Sequence, residues 1–395
     1  MYQSIQLKPK KDESLRRFHP WVFSGALAQG PSLPAEGDLV RVFAADGSFL
    51  GVGHYQIGSI AVRILSFHDQ PIDKDFYLAA LSSALQLRKE LNLLRSDNNT
   101  YRLVHGEGDH LPGLIIDIYG DTAVIQAHSV GMHRDLELIM TALKEVMEVE
   151  GLKHIYYKSE GTLPFKAELG AEDGYLWGGG QTDAIAHENG LRFQIDWLRG
   201  QKTGFFIDQR ENRKLLEQHA AGRRMLNMFC YTGGFSVYGL RGGASLVDSV
   251  DSSSKAVSIT DRNITLNFGD EPRHHSFSQD AFRYLKETPE GKYDLMVLDP
   301  PAFAKHRGAV NNALQGYKKL NLAAMAKIAS GGILFSFSCS QAITREQFRL
   351  AIFSAAAISG RKVSILHQLS QPADHPINIY HPEGEYLKGL VLRVE

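Results

Sequence analysis

Residues 299–303 (Asp-Pro-Pro-Ala-Phe) carry the residue types of this chain that point most directly to chemistry. They follow residues 293–298, an apolar run that is typical of a buried strand. Because proline has a fixed φ and no N–H donor, the two prolines hold the Asp299 carboxylate beyond the end of that strand. A carboxylate there can accept a hydrogen bond from the exocyclic amine of a nucleobase, and Phe303 can stack on the ring. We therefore predict a base-binding segment here, and not only a turn that ends a strand.

Cys339 stands just beyond the next apolar run and is flanked by two serines. If the two strands are neighbours, Cys339 lies beside Asp299. A thiolate is the group that methylation of a pyrimidine at C5 requires, because C5 is a poor nucleophile until a group adds to C6. Cysteine suits that addition, since its thiolate is accessible near neutral pH and leaves again readily. We predict that Cys339 is a nucleophile and that Cys230 is a packing residue.

Residues 227–235 (Asn-Met-Phe-Cys-Tyr-Thr-Gly-Gly-Phe) form a glycine-containing turn after another strand-like run. Glycine lets the backbone turn tightly and approach a ligand closely. Asp251 ends the following strand, where an acid can accept two hydrogen bonds from a ribose diol. Because the spacing G-x-G-x-x-G is absent, a ligand with a ribose and no pyrophosphate fits best, and S-adenosylmethionine is the candidate.

Asp280 has two interpretations. It can mark the end of a third strand, where a carboxylate accepts a hydrogen bond from an adenine amino group. It can equally be the N-cap of a helix, a role in which aspartate is common.

The elements that must position these residues begin at about residue 196, where apolar strand-like runs alternate with helical stretches. The runs are residues 225–229, 245–250, 293–298, 332–337, 363–369 and 389–394. This alternation predicts an α/β domain with a mostly parallel, doubly wound, Rossmann-like sheet. Such sheets bind their ligands at the carboxyl ends of the strands. Residues 269–276 have no clear assignment.

The preceding residues predict two further domains. Residues 1–72 contain short strand-like runs separated by turn residues, which favours a small β-barrel. The first 25 residues carry more Lys and Arg than Asp and Glu, which suits a phosphate backbone but also a solvated entry strand. Residues 73–195 mix helical and strand-like patterns, which indicates a β-rich α+β linking domain, and residues 196–395 form the predicted Rossmann-like domain.

The composition excludes several classes of protein. Hydrophobic residues make up 43% and charged residues 22% of the 395 residues, values typical of a globular chain. A formal charge of −1 excludes a strongly basic nucleic-acid coat, and two cysteines exclude a disulfide scaffold or a cysteine-rich zinc site. We expect no metal, no signal peptide and no membrane span, and hence a cytoplasmic protein.

Several of these runs resemble the bacterial ribosomal large subunit methyltransferase I family, which makes 5-methylcytosine in 23S ribosomal RNA. The matching segments are residues 200–210 (Gly-Gln-Lys-Thr-Gly-Phe-Phe-Ile-Asp-Gln-Arg), 229–235, 299–303, 338–340, 374–376 and 382–389. Residues 19–25 (His-Pro-Trp-Val-Phe-Ser-Gly) are similar to the family's PUA domain, an RNA-binding barrel. The resemblance thus covers nearly the full length.

The resemblance implies a PUA domain, a β-rich α+β linking domain and a class I methyltransferase domain that binds S-adenosylmethionine. It also implies that the Rossmann-like sheet of this last domain has seven, mostly parallel strands. It implies Cys339 and Asp299 as the catalytic pair and ribosomal RNA of the large subunit as the partner, and exposed apolar residues of the middle domain could support a homodimer. The candidate cofactor contacts are Asp208, Gln209, Arg210, Phe229, Tyr231, Thr232, Gly233, Asp251, Ser252, Asp280, Ala281 and Asp299. The candidate substrate contacts are Pro300, Pro301, Phe303 and Lys305.

Three alternatives to cytosine-C5 methylation stay open at this point. Asp-Pro-Pro-Ala-Phe also resembles the acid-Pro-Pro-aromatic signature of enzymes that methylate exocyclic nitrogens of adenine or guanine, and those need no thiol. A catalytically inactive RNA-binding protein is the second alternative. A nicotinamide oxidoreductase is the third, disfavoured by the absent glycine fingerprint.

Overall fold

The computed structural model describes residues 2–30, 33–164, 169–179, 184–304 and 307–395. These residues form two compact units. The first unit comprises Met1–Gly190, Ile195–Ile207 and Ala373–Gly384, and the second comprises Leu191–Gln194, Asp208–Pro372 and Glu385–Glu395. The three-domain division at residues 72 and 195 stays a prediction. Lys305, a candidate substrate contact, lies outside the described residues.

The first unit begins with a five-stranded sheet. Its strands are β1 (Gln3–Gln6), β2 (Trp21–Phe23), β3 (Leu39–Phe43), β4 (Phe49–Tyr55) and β5 (Ile60–Ser66), with the short helix α1 (Glu13–Arg16) after β1. The strand order is β1-β3-β4-β5-β2, so β1 and β2 are the two edges. A bridge between Leu7 and Leu27 joins the segments that follow β1 and β2, which closes the sheet as a small barrel does. The short strand-like runs predicted within residues 1–72 form the strands of this sheet.

The first unit continues with a second five-stranded sheet. Its elements are α2 (Lys74–Glu90), β6 (Thr100–His105), β7 (Leu114–Tyr119), β8 (Thr122–Ala127), α3 (Val130–Arg134), α4 (Leu136–Met147), β9 (His154–Tyr157) and β10 (Gly174–Trp177). The strand order is β10-β9-β8-β7-β6, and β7 and β8 form a hairpin that turns at Gly120-Asp121. α2 and α4 bury apolar side chains in one core with this sheet. β11 (Ala184–Glu188) and β12 (Leu191–Ile195) follow along the chain.

The second unit has a seven-stranded sheet. Its elements are α5 (Arg210–Gln218), β13 (Arg224–Met228), α6 (Gly234–Arg241), β14 (Leu246–Asp251), α7 (Ser254–Phe268), β15 (His274–Ser278), α8 (Ala281–Glu287), β16 (Leu295–Leu298), α9 (Val310–Lys327), β17 (Gly332–Ser338), α10 (Arg345–Ser359), β18 (Val363–Leu369) and β19 (Lys388–Val394). The order is β15-β14-β13-β16-β17-β19-β18. β19 lies between β17 and β18 and is antiparallel to both. The five strands β15, β14, β13, β16 and β17 are parallel to one another.

This sheet confirms the predicted Rossmann-like architecture. The four residues of β16 and all seven of β17 are buried, which is why β16 is a continuous apolar run and β17 is apolar apart from two serines. The residues left unassigned, 269–276, contain the start of β15. β15 is an edge strand of His, Ser and Phe residues that are at most half-buried, so it has no apolar run to reveal it.

Among the described residues, none of the helices combines the length and the apolar character that crossing a membrane requires.

Candidate active site

Four neighbouring parallel strands, β14, β13, β16 and β17, end at the same edge of the seven-stranded sheet. The residues that directly follow or end them are Asp251, Phe229, Asp299 and Cys339. Parallel strands placed side by side therefore bring together segments that are more than 100 residues apart in the chain. This is the edge at which sheets of this kind bind ligands.

The loop between β13 and α6 has an unusual backbone. Phe229 and Tyr231 have backbone φ values of 59° and 48°, which residues other than glycine seldom adopt. Gly233 has a φ of 79°. A Cβ on Gly233 would lie 2.6 Å from Cγ2 of Thr260, so glycine is required there for space as well as for conformation. Strained backbone of this kind is concentrated at functional sites.

Helix α7 holds this loop in place. The Thr260 hydroxyl donates to the Tyr231 carbonyl oxygen at 2.9 Å, and the Asn263 side-chain amide donates to the Thr232 carbonyl oxygen at 2.8 Å. Cys230 is buried within the loop, and burial raises the pKa of its thiol. Sequence reasoning missed Thr260 and Asn263, because they carry no motif and act only through a helix that packs on the loop.

Asp251 connects the loop to the end of β14. One carboxylate oxygen accepts from the Tyr231 backbone N–H at 3.0 Å, and the other accepts from the Ser253 backbone N–H at 2.9 Å. An ionised carboxylate has about four acceptor positions, so these bonds fix its orientation and leave capacity for a diol. The remaining acceptor positions of Asp251 thus fit the hydroxyls of the ribose of S-adenosylmethionine. Ser252, beside it, is exposed.

Asp280 is the N-cap of α8, where its carboxylate accepts from the Arg283 backbone N–H at 2.9 Å. It also follows β15 by two residues, so both sequence interpretations place it at the same point of the chain. Ala281 is buried in the first turn of α8. A contact of either residue with the adenine stays a prediction.

Residues 208–210 are buried at the start of α5. The Gln209 side-chain amide donates to an Asp299 carboxylate oxygen at 3.0 Å, and its own oxygen accepts from the Asn212 amide at 2.6 Å. The Asp208 carboxylate accepts from the Tyr386 hydroxyl at 2.7 Å. The contact of Gln209 with Asp299 was not foreseen: it ties a candidate cofactor contact to the carboxylate that the sequence predicts to be catalytic.

The prolines and Phe303 occupy different environments after β16. Asp299 is half-buried, Pro300 is buried and Pro301 is exposed. The half-buried Phe303 ring packs against the ring of Tyr317 on α9, with centroids 4.7 Å apart and planes inclined by 37°. Its role against a nucleobase stays a prediction.

Cys339 lies directly against the turn that follows Asp299. Its sulfur is 3.9 Å from the Pro300 carbonyl oxygen, as expected if β16 and β17 are neighbours. The serines on either side are buried, and their hydroxyls both contact the Tyr317 hydroxyl, at 2.9 Å for Ser338 and 3.0 Å for Ser340. Burial, the largest influence on Tyr317, raises the pKa of this phenol. A neutral tyrosine therefore clamps the turn that presents the half-buried Cys339.

Lys388 is the charged residue of this site that sequence reasoning did not assign. It begins β19 directly opposite Ser338, and its ammonium donates to the Ser340 carbonyl oxygen at 2.7 Å. The residue is 2% exposed, and burial lowers its pKa to about 8. The signal available in the sequence was its place in the tail motif.

His19, His381 and Glu383 of the first unit place possible metal-ligand atoms within 4.8 Å of one another. Nδ1 of His19 accepts the Trp21 backbone N–H at 3.2 Å, so the proton of a neutral His19 is on Nε2. That nitrogen faces the Glu383 carboxylate at 3.5 Å. His19 and Glu383 thus form a histidine–glutamate pair, and the expectation of no metal stays a prediction.

Comparison with known proteins matches two segments of the chain to protein families. Residues 172–384 match the S-adenosylmethionine-dependent methyltransferases, and residues 5–67 match the PUA-like domains. A protein from Alteromonas mediterranea named ribosomal RNA large subunit methyltransferase I is 38% identical over 398 residues, which cover 100% of this chain and 99% of the relative. Its namesake from Tolumonas auensis is 39% identical over 399 residues, with 100% of both chains covered.

Two solved structures have the same fold over the whole length. A SAM-dependent methyltransferase from Streptococcus mutans is 22% identical with a TM-score of 0.84, covering 99% of this chain and 100% of its own. A second methyltransferase, crystallised as a complex with SAH, is 23% identical with a TM-score of 0.85, and both chains are covered completely. At these identities the likeness shows the fold.

Proposed function

Since this chain belongs to the ribosomal RNA large subunit methyltransferase I family, we propose that it methylates C5 of a cytosine in the large-subunit ribosomal RNA. The protein is an S-adenosylmethionine-dependent methyltransferase with an N-terminal PUA-like domain, as the resemblance implied. The observation that carries the choice of C5 is the position of the Cys339 sulfur, 3.9 Å from the carbonyl oxygen of the residue after Asp299. An enzyme that methylates an exocyclic nitrogen has no use for a thiol at that point.

The cofactor would lie along the edge formed by the ends of β13 and β14. Asp251 would accept the two ribose hydroxyls, and the backbone of Phe229–Gly233 would line the site, with Asp280 toward the adenine and residues 208–210 beside it. When bound, S-adenosylmethionine supplies an electrophilic methyl group.

The base chemistry follows from the two catalytic groups. The flipped-out cytosine would donate its exocyclic amine to Asp299. The Cys339 thiolate adds to C6, and the electrons of the C5–C6 double bond move to C5 and toward the N3 side that Asp299 holds. C5 would then take up the methyl group, which leaves S-adenosylhomocysteine. A base removes the proton from C5, the double bond re-forms, and the C6–S bond breaks with its electrons returning to sulfur.

The positioning groups around this pair have defined tasks. Gln209 donates to Asp299 at 3.0 Å and thereby fixes which carboxylate lone pairs face the base. Tyr317 holds both serines next to Cys339. The PUA-like domain would contact the RNA backbone and its shape, which is how structured RNA is recognised outside the reacting nucleotide.

The test is transfer of labelled methyl from S-adenosylmethionine to protein-free large-subunit ribosomal RNA, followed by nucleoside analysis, for the wild type and Cys339→Ala. We expect label in 5-methylcytosine from the wild type and a loss of at least about a thousandfold in the variant, because the covalent route is closed. Binding of S-adenosylhomocysteine, measured by calorimetry, controls for folding and should be the same in both proteins.

Label in a methylated adenine or guanine, or a Cys339→Ala variant that still transfers methyl, would contradict the proposal and favour methylation of an exocyclic nitrogen. Binding of RNA without any transfer would favour the inactive RNA-binding protein.

A further inference from the structure

Lys388 is a buried cation that the chemistry above does not use. β19 pairs with β17 so that Lys388 stands opposite Ser338, while its ammonium reaches the carbonyl oxygen of Ser340 at 2.7 Å. The side chain therefore extends along the Ser-Cys-Ser turn from the residue before Cys339 to the residue after it. The site thus holds a positive charge beside the proposed nucleophile.

A buried ammonium is costly unless an opposite charge lies close to it. Three charged or ionisable groups act on Lys388: Cys339, Glu385 and Arg345. Glu385 is already engaged by Arg345 of α10, whose Nε lies 3.1 Å from its carboxylate, and Arg345 itself repels the ammonium. Among the described residues that act on Lys388, Cys339 is thus the group whose negative form can balance it.

The hydroxyls near the sulfur cannot take this role. Ser338 and Ser340 are both engaged with the Tyr317 hydroxyl, which fixes the geometry of the turn without adding charge. Burial lowers the pKa of Lys388 to about 8, while the negative charges of Cys339 and Glu385 raise it. The lysine is therefore mostly protonated at neutral pH and can act on the sulfur as a cation.

We propose that Lys388 is a positioning residue that holds Cys339 in its thiolate form through its charge and fixes the Ser-Cys-Ser turn through its hydrogen bond to Ser340. A cation close to a thiol favours the thiolate and so lowers the pH at which the nucleophile is ready. The inference rests on the proposed function, in which Cys339 is the nucleophile. It adds the group that activates this cysteine, for which neither the glycine turn nor the Asp-Pro-Pro segment supplies a candidate.

The experiment separates charge from structure by comparing Lys388→Gln with Lys388→Arg. Glutamine retains an N–H donor for the Ser340 carbonyl and has no charge, whereas arginine retains the charge at every accessible pH. Lys362→Gln, which removes a charge from an exposed lysine, is the matched control. Alkylation of Cys339 by iodoacetamide is followed from pH 5.5 to 10 by peptide mass spectrometry, with the buried Cys230 as an internal reference for intact folding.

We expect Lys388→Gln to raise the midpoint of the alkylation profile by about one pH unit, which slows alkylation of Cys339 at pH 7 about tenfold. Methyl transfer at pH 7 should fall in parallel and recover toward pH 9, while S-adenosylhomocysteine binding stays unchanged. Lys388→Arg and Lys362→Gln should keep the midpoint of the wild type.

An unchanged midpoint in Lys388→Gln overturns the inference, as does a shift of equal size in Lys362→Gln. If Lys388→Gln exposes Cys230 to alkylation, the fold has changed, and the Arg variant decides: a midpoint well above that of the wild type in Lys388→Arg also overturns the inference. Failure of the proposed function has a different signature, since Cys339→Ala would then transfer methyl whatever Lys388 does to the thiol.

Discussion

At the scale of single residues, the site depends on side chains that hold other side chains. The carboxylate of Asp299, which we propose as catalytic, is oriented by Gln209, and Gln209 is oriented in turn by Asn212, through bonds of 3.0 and 2.6 Å. All three side chains therefore form one directed chain from α5 to the end of β16. Because a carboxylate can accept hydrogen bonds from many directions, these two hydrogen bonds decide which lone pairs of Asp299 face the nucleobase.

Replacing Gln209 with leucine tests this chain. We expect kcat for methyl transfer to fall about tenfold, since the loss of one hydrogen bond to a charged group costs roughly 1.5 kcal/mol of transition-state stabilisation. Steady-state kinetics with ribosomal RNA measure it. Gln218→Leu, at an exposed position at the end of the same helix, is the control, and equal kcat values in the two variants would contradict the assignment.

At the scale of elements, the loop between β13 and α6 owes its conformation to residues that are distant in the sequence. Its left-handed residues persist because α7 supplies hydrogen bonds to two of its carbonyl groups and because Asp251 accepts the Tyr231 N–H. A loop that is over-determined in this way is pre-organised, so cofactor binding does not have to order it.

Gly233→Ala should disturb this pre-organisation. We expect S-adenosylhomocysteine to bind at least about tenfold more weakly and the variant to lose about 1–3 kcal/mol of stability, because Cβ would meet Thr260 at 2.6 Å and φ is 79°. Calorimetry and thermal unfolding measure the two effects. Gly222→Ala is the control for backbone strain alone: its φ is 71° and its Cβ would have no neighbour within 4 Å. A cofactor affinity lost equally in both variants would argue against a special role for the loop.

The edge strand β15 shows why an element can be missed. Its pairing with β14 is supported by polar contacts, since His274 lies 2.9 Å from the Ser249 hydroxyl and His275 lies 3.2 Å from the Asp248 carboxylate. These partners are 25 and 27 residues away along the chain. Periodicity of apolar residues, the signal by which strands are predicted, is absent from such a strand.

At the scale of the whole molecule, the two compact units are not continuous in sequence. The segment Ala373–Gly384 belongs to the first unit, although the chain on both sides of it belongs to the second. Arg88 of α2 holds this segment by donating to the Asp374 carbonyl oxygen at 2.8 Å, and the Asp374 carboxylate accepts the Arg102 N–H at 3.1 Å. Arg88 is fully buried and also pairs with Asp109 through two bonds.

Arg88→Leu should therefore destabilise the first unit strongly. Removing one partner of a buried ion pair leaves Asp109 as an uncompensated charge, which costs about 3–5 kcal/mol. Thermal unfolding and limited proteolysis near residue 374 measure it. Lys89→Leu, on the next position of the helix and in a partly exposed pair with Glu150, should cost at most about 1 kcal/mol. Similar losses in the two variants would contradict the role of Arg88.

The sequence by itself determined the kind of chemistry and the kind of fold. The order Asp251, Asp299, Cys339 along alternating apolar and helical runs predicted a Rossmann-like sheet with an S-adenosylmethionine site at one edge, because strand ends in such a sheet converge. Local residue types were sufficient to predict this sheet, because strands that are buried on both faces have apolar sequences.

The tertiary structure alone decided which side chains support the residues that we propose as catalytic. Gln209 reaches Asp299 over 90 positions, and Lys388 reaches Ser340 over 48, and neither contact leaves a local pattern. A hydrogen bond or a Coulomb interaction depends on distance in space, whereas periodicity reports only on a residue's own element. The packing of β19 against β17, which no spacing in the sequence encodes, is what places a positive charge beside Cys339.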